Sequence, residues 1–300
     1  MRVTFYGVRG SIATPGPSTV RYGGNTVCVG VRTSDGTLVV FDMGTGIRVL
    51  GDELVAAGAP PLPEPIHVFV THAHWDHIIG APFFAPIYRK DAHVILHAMS
   101  ARAESSIAKG VLFDGEHFPV RIADLPAHLE RPRFVDGAIR VGSATVRAVQ
   151  LNHPGGCEGF RIDDADGSSA CYLTDNELAP PVGLGPSGAA GGAERSGTMI
   201  STLSQLARFA HGVGLMIHDA QYMPEDMPAK RGWGHSVVDD VLALGRDAEA
   251  RTVALHHHDP WRDDHALDLI ATHARAWCRA HAPSMSTLVA SEGLSLEVKP

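Results

Sequence analysis

The densest group of potential metal ligands lies in one short segment. His72, His74, Asp76 and His77 follow the apolar run 66–70, which is typical of a buried strand. Residues two apart in an extended segment point the same way, so His72 and His74 can bind one ion together. If the chain then turns into a helix, Asp76 and His77 can reach a second ion beside it. Imidazole and carboxylate suit Zn and other first-row divalent ions, and so dense a cluster after a buried strand argues against a fortuitous surface turn.

Other expected strands also end in metal-binding residue types. His153 follows a predicted hairpin or strand pair, and Asp175 follows the apolar strand 170–173. Three consecutive histidines, 256–258, follow the apolar run 253–255. Metal-binding residue types thus recur at the ends of several predicted strands.

These residues carry a resemblance to a known superfamily. The segment from His72 to His77 resembles the HxHxDH signature of the metallo-β-lactamase superfamily. Asp42-Met43-Gly44-Thr45-Gly46 resembles its upstream DxGxG turn. The match extends over nearly the whole chain. It implies an α/β fold, the metallo-β-lactamase αββα sandwich, in which two mixed sheets are flanked by helices within a single domain over residues 1–300.

The resemblance also implies two metal sites with a shared carboxylate. The implied ligands of the first ion are His72, His74 and His153; those of the second are Asp76, His77 and His257, with Asp175 bridging. A bridging carboxylate and hydroxide reduce the repulsion between two neighbouring cations. We expect two divalent ions, Zn in the first place, with Mn and Fe as alternatives.

The last ligand is assigned from the superfamily pattern of a strand, one spacer and a histidine. With Leu255 as the strand end, His256 is the spacer and His257 the ligand. If the strand continues through His257, the side chains of His256 and His258 point away from the metals.

Three further residues are candidates for supporting roles. Asp42 would hold a ligand imidazole in the right tautomer, although an Asp before Gly is equally a turn former. Asn25 would line the site, or would simply be a turn residue after two glycines. Asp219, after the predicted strand 215–217, would orient His235, or would lie in a surface loop.

A narrower resemblance concerns the reaction class. Gly234-His235-Ser236 resembles the His-Ser element of the subgroup that contains the tRNA 3′-processing endonucleases and the cyclic-phosphate phosphodiesterases. It implies that His235 contacts the scissile phosphate; the alternative is that His235 only precedes an N-capping Ser236. Asp76 and His235 are the residues assigned to catalysis. The implied reaction is attack of a metal-bridging hydroxide on phosphorus, with His235 as general acid or charge stabiliser.

Charge and spacing bear on the substrate. A formal net charge of -8 disfavours long polyanions, whose affinity for proteins comes mainly from phosphate neutralisation. The tRNA-processing relatives carry a long arm between the motifs that correspond to His153 and Asp175, and the short spacing here leaves no room for it. We expect a small phosphodiester, cyclic nucleotides included, and no large nucleic acid. A lactone or ester hydrolase, an RNA-processing endonuclease and a non-catalytic nucleotide or metal sensor remain as alternatives.

Composition indicates the cellular compartment in which the protein is expected. The four cysteines are far apart and are expected to be buried thiols of a reducing compartment; they are Cys28, Cys157, Cys171 and Cys278. No stretch is apolar enough to span a bilayer, so a cytoplasmic protein without a membrane partner is expected. The subgroup is often dimeric, which makes a homodimer an option.

The elements that must position these residues are short strands and a few helices. Helical spacing is found over 47–57, 100–108, 201–211, 237–244 and 267–279. The runs 288–290 and 294–298 are predicted to form a closing hairpin, and the Gly-, Pro- and Ala-rich stretch 179–197 a flexible loop. The histidines outside the motifs, His93 and His128 among them, are expected to be structural or solvated.

Overall fold

A computed structural model describes residues 1–98, 112–116, 118–132, 137–178 and 201–300. The predicted helix over 100–108 and the predicted loop over 179–197 lie outside the described residues.

Fourteen strands in the described part of the chain form two sheets of seven strands each. In chain order they are β1 (Arg2–Gly7), β2 (Cys28–Arg32), β3 (Leu38–Phe41), β4 (Ile66–Val70), β5 (His93–Ala98), β6 (His128–Glu130), β7 (Ala138–Val141), β8 (Ala144–Leu151), β9 (Cys157–Asp164), β10 (Ser169–Leu173), β11 (Leu215–Asp219), β12 (Thr252–His256), β13 (Ser286–Val289) and β14 (Ser295–Glu297). The first sheet has the order β14-β1-β2-β3-β4-β5-β6 and the second the order β13-β12-β11-β10-β9-β8-β7.

Each sheet is half antiparallel and half parallel. Strands β3 to β6 run parallel in the first sheet, as do β10 to β13 in the second. The antiparallel steps β8–β9 and β9–β10 give β8 the same direction as β10. The carboxyl ends of β8, β10, β11 and β12 therefore meet at one edge of the second sheet, where side chains that follow these strands can converge.

The helices are α1 (Ile47–Val55), α2 (Trp75–Ile78), α3 (Leu203–Phe209), α4 (Met227–Lys230), α5 (Val238–Asp247) and α6 (Asp264–His281). Short 3-10 turns lie at Ala81–Phe83, Ala85–Tyr88, Ile122–Asp124 and Pro224–Asp226. Helix α3 begins with a capping box, in which Thr202 accepts from the Gln205 amide and Gln205 accepts from the Thr202 amide. Helix α6 begins earlier than the apolar spacing predicts because Asp263 caps its first turn.

Apolar side chains fill three layers. Between the sheets, Phe41 stacks on Tyr172 at 5.3 Å and on Phe160 at 5.5 Å between ring centroids. A second layer under α1 and α2 covers the outer face of the first sheet, and a third under α3, α5 and α6 covers that of the second. The predicted sandwich of two mixed sheets between helices is thereby confirmed.

The predicted closing hairpin is wrong. The strand at 286–289 pairs with β12 in the second sheet, whereas the strand at 295–297 pairs with β1 in the first. The last residues thus cross from one sheet to the other and tie the two together. All four cysteines are buried free thiols. None of the described helices has the length and apolar character needed to cross a bilayer.

Candidate metal centre

The HxHxDH segment forms the junction between β4 and α2. His74 has an extended backbone (φ -70°, ψ 152°), and the next residue begins the helix, which carries Asp76 and His77. The turn after β3 fixes this helix: the Met43 amide donates to the His77 carbonyl at 2.7 Å, and Gly80 N donates to the Met43 carbonyl at 2.9 Å. A side chain at Gly44 would lie 2.3 Å from the Asp76 carbonyl oxygen, so the glycine permits this close approach.

Four donors from three strand ends make up the first donor group, which consists of His72, His74, His153 and Asp175. Their ligand atoms all lie within 4.8 Å of one another. His153 Nε2 is 3.1 Å from His74 Nδ1, and Asp175 Oδ2 is 3.5 Å from both His72 Nε2 and His153 Nε2. This spacing suits convergence of the four donors on one ion.

The second donor group shares Asp175 with the first and adds Asp76, His77 and His257. Asp175 Oδ1 lies 3.2 Å from His77 Nε2 and 3.0 Å from His257 Nε2, and Asp76 Oδ2 lies 3.2 Å from His257 Nε2. The two oxygens of Asp175 therefore face different groups, Oδ2 the first and Oδ1 the second. The two groups together are called the Asp175 centre below.

The two groups differ in charge. Burial lowers the pKa of all three imidazoles of the first group, that of His153 to about 4, so they are neutral at neutral pH. Burial is the largest single influence and disfavours protonated His77 and His257, but the neighbouring carboxylates, Asp175 foremost, together outweigh it. The pKa of His77 therefore rises well above its ordinary value and that of His257 to about 10. Burial alone would raise the pKa of Asp76 and Asp175, yet the neighbouring imidazoles hold both well below the usual range.

Two buried nitrogens support a cation at this place. His72 Nε2 and His77 Nε2 have no hydrogen-bond partner among the described residues. Each belongs to one of the two donor groups, and a buried nitrogen left without a partner is costly. A divalent cation would satisfy both, and the mixture of imidazole and carboxylate donors is one that Zn and other first-row ions accept. The residues present therefore fit such ions.

The far ring nitrogen of four of these imidazoles is held by a neighbour. His77 Nδ1 donates to Asp42 Oδ2 at 2.8 Å, and Asp42 also accepts from Thr71 and from the Tyr172 hydroxyl. His153 Nδ1 donates to the Gly234 carbonyl at 2.9 Å. The other two bonds run from His257 Nδ1 to Gln221 Oε1 (3.0 Å) and from His72 Nδ1 to Thr71 Oγ1 (3.1 Å). Such bonds fix the tautomer that leaves Nε2 free to bind a metal.

Of the three consecutive histidines, His257 alone contributes a donor to the two groups. His256 Nε2 donates to the Gly7 carbonyl at 3.0 Å and His258 Nε2 to the Ala290 carbonyl at 2.8 Å. The sequence-based reason for this, alternation of side chains along a strand that continues through His257, is wrong. The strand ends at His256. His257 has φ 57°, and this left-handed residue turns its ring toward Asp175.

His235 lies beside the second donor group and is not part of either coordination set. Its Nδ1 donates to Asp219 Oδ2 at 2.9 Å, so Nε2 is the ring nitrogen not engaged by this bond. Its ring stacks on that of His257, with centroids 4.9 Å apart. The segment before it is tied down by Glu177, which accepts from the amides of Gly232 and Gly234.

Asn25 is not brought into the centre. Its side-chain amide donates to Glu292 Oε2 at 3.0 Å, and its backbone amide donates to Oε1 of the same carboxylate. Its carbonyl accepts from the amides of Val8 and Arg9, so Asn25 organises the turn before β2.

Backbones with positive φ are concentrated at the centre. The described non-glycine residues with φ above zero are Ser11 (65°), Asp42 (61°), Asp175 (52°), Glu249 (54°) and His257 (57°). Asp175 and His257 belong to the donor groups, Asp42 binds His77, and the Ser11 amide donates to Asp76 Oδ2 at 2.7 Å.

The sequence profile of the β-lactamase superfamily domain matches residues 37–188, which is about half of the chain. The chain belongs to this superfamily.

Relatives within the superfamily are similar over most of their length. Ribonuclease Z of Haloarcula marismortui is 24% identical over 287 residues, covering 86% of both chains. Ribonuclease Z of Haloferax volcanii is 25% identical over 294 residues, covering 86% of this chain and 84% of its own. These matches confirm the resemblance to the tRNA 3′-processing subgroup.

Solved structures of the superfamily share the fold. The metallo-β-lactamase fold protein YhfI from Bacillus subtilis superposes with a TM-score of 0.66 at 16% identity, covering 98% of both chains. The short form of human tRNase Z superposes with a TM-score of 0.64 at 16% identity, covering 100% of both. At this identity the likeness establishes the sandwich architecture alone.

Two residues of this superfamily member escaped the sequence reasoning. Gln221 holds His257, and Glu177 holds the segment before His235. Glu177 stands two residues after Asp175, where a second acid after a strand end is a usable signal. Gln221 lies 36 positions before His257, and no motif connects them.

Proposed function

We propose that this metal-dependent hydrolase cleaves small phosphodiesters, with two zinc ions bound at the Asp175 centre. His72, His74 and His153 would hold the first ion, Asp76, His77 and His257 the second, and Asp175 would bridge them. The observation that carries the choice of phosphodiesters is the His235–Asp219 pair beside the second donor group. Attack by a metal-activated water does not itself need an imidazole outside the donor groups. An imidazole fixed beside them therefore suits a charged substrate with several oxygens.

Bound divalent ions would supply Lewis acidity toward phosphoryl oxygens and lower the pKa of a water molecule. The chain itself supplies orientation and proton transfer. Asp219 accepts from His235 Nδ1 and would thereby hold the ring in one orientation, with Nε2 as the nitrogen that meets the substrate. From there His235 would donate to the leaving oxygen or neutralise a non-bridging oxygen.

A small substrate is favoured by the short connection between His153 and Asp175, which follow two strands of the second sheet. Strand β9 follows His153 closely, and residues 165–168 alone join β9 to β10, which leads to Asp175. No arm protrudes from this part of the chain. The net charge of -8 also opposes a long RNA.

RNA 3′-end processing is the second candidate, because the Haloarcula and Haloferax relatives are named Ribonuclease Z. The two candidates differ in substrate size and share the chemistry. Turnover of a 2′,3′-cyclic nucleotide, of a precursor tRNA with a 3′ trailer and of a simple lactone would rank them. A kcat/KM highest for the cyclic nucleotide supports the first candidate, and one highest for the precursor tRNA supports the second. Preference for the lactone would contradict both.

The role of His235 is tested by its replacement. His235→Ala should keep the metal content and lower kcat on a cyclic nucleotide by about 10²- to 10⁴-fold. On bis(4-nitrophenyl) phosphate the loss should be small, because nitrophenolate leaves without protonation. The exposed His265 on α6 offers a control, and His265→Ala should leave both rates unchanged. Equal losses on both substrates would make His235 a charge stabiliser; an unchanged rate on the cyclic nucleotide would remove the support for phosphodiesters.

A further inference from the structure

A separate group of metal-binding side chains lies at the amino ends of β5 and β6. His93 is the first residue of β5, and His128 and Glu130 are the first and third residues of β6. The two strands are parallel, with His93 opposite His128. Because side chains alternate along a strand, the three residues share one face of the sheet.

The three side chains meet at one carboxylate oxygen. Glu130 Oε1 lies 2.8 Å from His93 Nε2 and 3.8 Å from His128 Nε2. The two imidazole rings stack, with centroids 4.4 Å apart and planes at 19°. All three ligand atoms lie within 4.8 Å of one another. These three residues are called the edge cluster, since β6 is the last strand of its sheet.

We infer that the edge cluster is a binding site for a divalent transition-metal ion, with Zn²⁺ as the best match. Two imidazoles and a carboxylate are a common zinc donor set, and solvent would complete a four-coordinate sphere. Metal–ligand bonds of about 2.0–2.1 Å in a tetrahedron place donor atoms roughly 3.3 Å apart. The two observed distances to Glu130 Oε1 lie on either side of that value, so small side-chain rotations would bring the donors into place.

The site is open to ions and its framework is in place. The side chains of His93, Glu130 and His128 are 22%, 44% and 66% exposed, so an ion can enter without any opening of the fold. Strand pairing already sets the backbone positions of all three. The imidazole of His67 on the neighbouring strand β4 is buried and hydrogen-bonded to that of His97 at 3.1 Å, so it belongs to a different pair.

An ordinary surface ion pair explains less of this arrangement. One histidine would suffice to pair with Glu130, and a second cationic ring stacked on the first would be repelled. Two ring nitrogens directed toward one carboxylate oxygen are instead suited to share a cation. The cluster also lies at the amino ends of these parallel strands, whereas the Asp175 centre follows the carboxyl end of β4, about 20 Å along strands of this length. An ion there cannot be part of the Asp175 centre.

The experiment counts metal in chains whose Asp175 centre is already loaded. Zn²⁺ is titrated into metal-replete protein, and bound metal is measured by elemental analysis and native mass spectrometry. The wild type should bind one more equivalent than His128→Ala, Glu130→Gln or His93→Gln, with the variants at least tenfold weaker for that equivalent. His211→Ala, at an exposed histidine between α3 and β11, should behave as the wild type.

A second arm separates this inference from the proposed function. In an Asp175→Ala background the additional equivalent should persist, and Co²⁺ bound there should give the visible absorption of a low-coordinate site, lost on adding His128→Ala. Thermal unfolding of each variant shows that it is folded. The same metal count in wild type and in all three edge variants, or no additional equivalent in the wild type, would overturn the inference whatever the enzyme's substrate.

Discussion

The Asp175 centre and the edge cluster use the same donor types at opposite ends of parallel strands, and they differ in what surrounds them. At the centre, Asp175 is 2% exposed and four imidazoles have their far ring nitrogen held by a neighbour. At the edge, His93 and His128 have no such bond within the described parts of the chain, and all three donors face solvent. If the edge cluster binds an ion as inferred, donor identity is enough for binding, whereas burial and a second layer of hydrogen bonds are what make a centre suited to catalysis.

The largest effect should come from removing the carboxylate that the two donor groups share. Asp175→Ala should abolish binding of the metal pair and lower phosphodiester turnover by at least about 10³-fold, because both groups lose a ligand. Elemental analysis and steady-state kinetics measure this. Asp247→Ala, at an exposed aspartate that ends α5, is the control. Retention of two ions by Asp175→Ala would show that the carboxylate does not bridge.

A smaller effect should follow from removing a support that touches no metal. Gln221→Ala frees His257 Nδ1 and should weaken metal binding or activity about 10- to 100-fold, the usual range for such partners. Gln150→Ala, at an exposed glutamine on β8, should have no effect. Competition with a chelator measures the affinity. If Gln221→Ala has the metal affinity and activity of the wild type, the orientation of His257 does not depend on this bond. The hydrogen bond to Gln221 would then not distinguish the Asp175 centre from the edge cluster.

A third test concerns a buried carboxyl without imidazole neighbours. Burial raises the pKa of Glu158 to about 7, opposite to the direction at Asp175. The ionised form is therefore penalised in the folded state, so this residue should lower stability progressively as pH rises from about 4.5 through 7. Glu158→Gln lacks this titration, and its free energy of unfolding relative to wild type should increase by about 1–3 kcal/mol between pH 5 and pH 8. Urea unfolding at both pH values measures it; a pH-independent difference would contradict the assignment.

The smallest effect should be that of the edge cluster on catalysis. His128→Ala should change turnover less than twofold, because no described contact joins the cluster to the Asp175 centre. With added Zn²⁺ the wild type should gain thermal stability that His128→Ala does not, since an ion that binds only the folded chain stabilises it. A large loss of turnover in His128→Ala would mean that the two sites are coupled.

The sequence predicted what local patterns can encode. The apolar run of β4 and the spacing of His72 and His74 are contiguous, so both the strand and the donors that follow it were readable. The sheet to which each of the last strands belongs was not readable. The runs 288–290 and 294–298 look like the two halves of a hairpin, yet each pairs with a strand of a different sheet. Gln221, Glu177 and the pairing of His93 with Glu130 are contacts across the fold, and no periodicity records them.

The left-handed backbone of His257 was not predicted from the sequence, for a related reason. Sequence patterns distinguish a strand from a helix, but a single left-handed residue that is not glycine leaves no such mark. The expectation that alternation along a strand orients His257 was therefore wrong, although its ring does reach Asp175.

The left-handed backbones of Asp42, Asp175 and His257 have a consequence for how this protein can change. Each such conformation costs roughly 1–3 kcal/mol for a residue with a side chain, and glycine would adopt it freely. Without metal, Asp175→Gly should therefore unfold at a higher temperature than Asp175→Ala, although both lack the carboxylate. Selection for thermal stability alone would favour glycine at these three positions. The result would be a more stable fold without a metal centre. Their persistence as Asp, Asp and His in a lineage would thus report continued selection for the reaction.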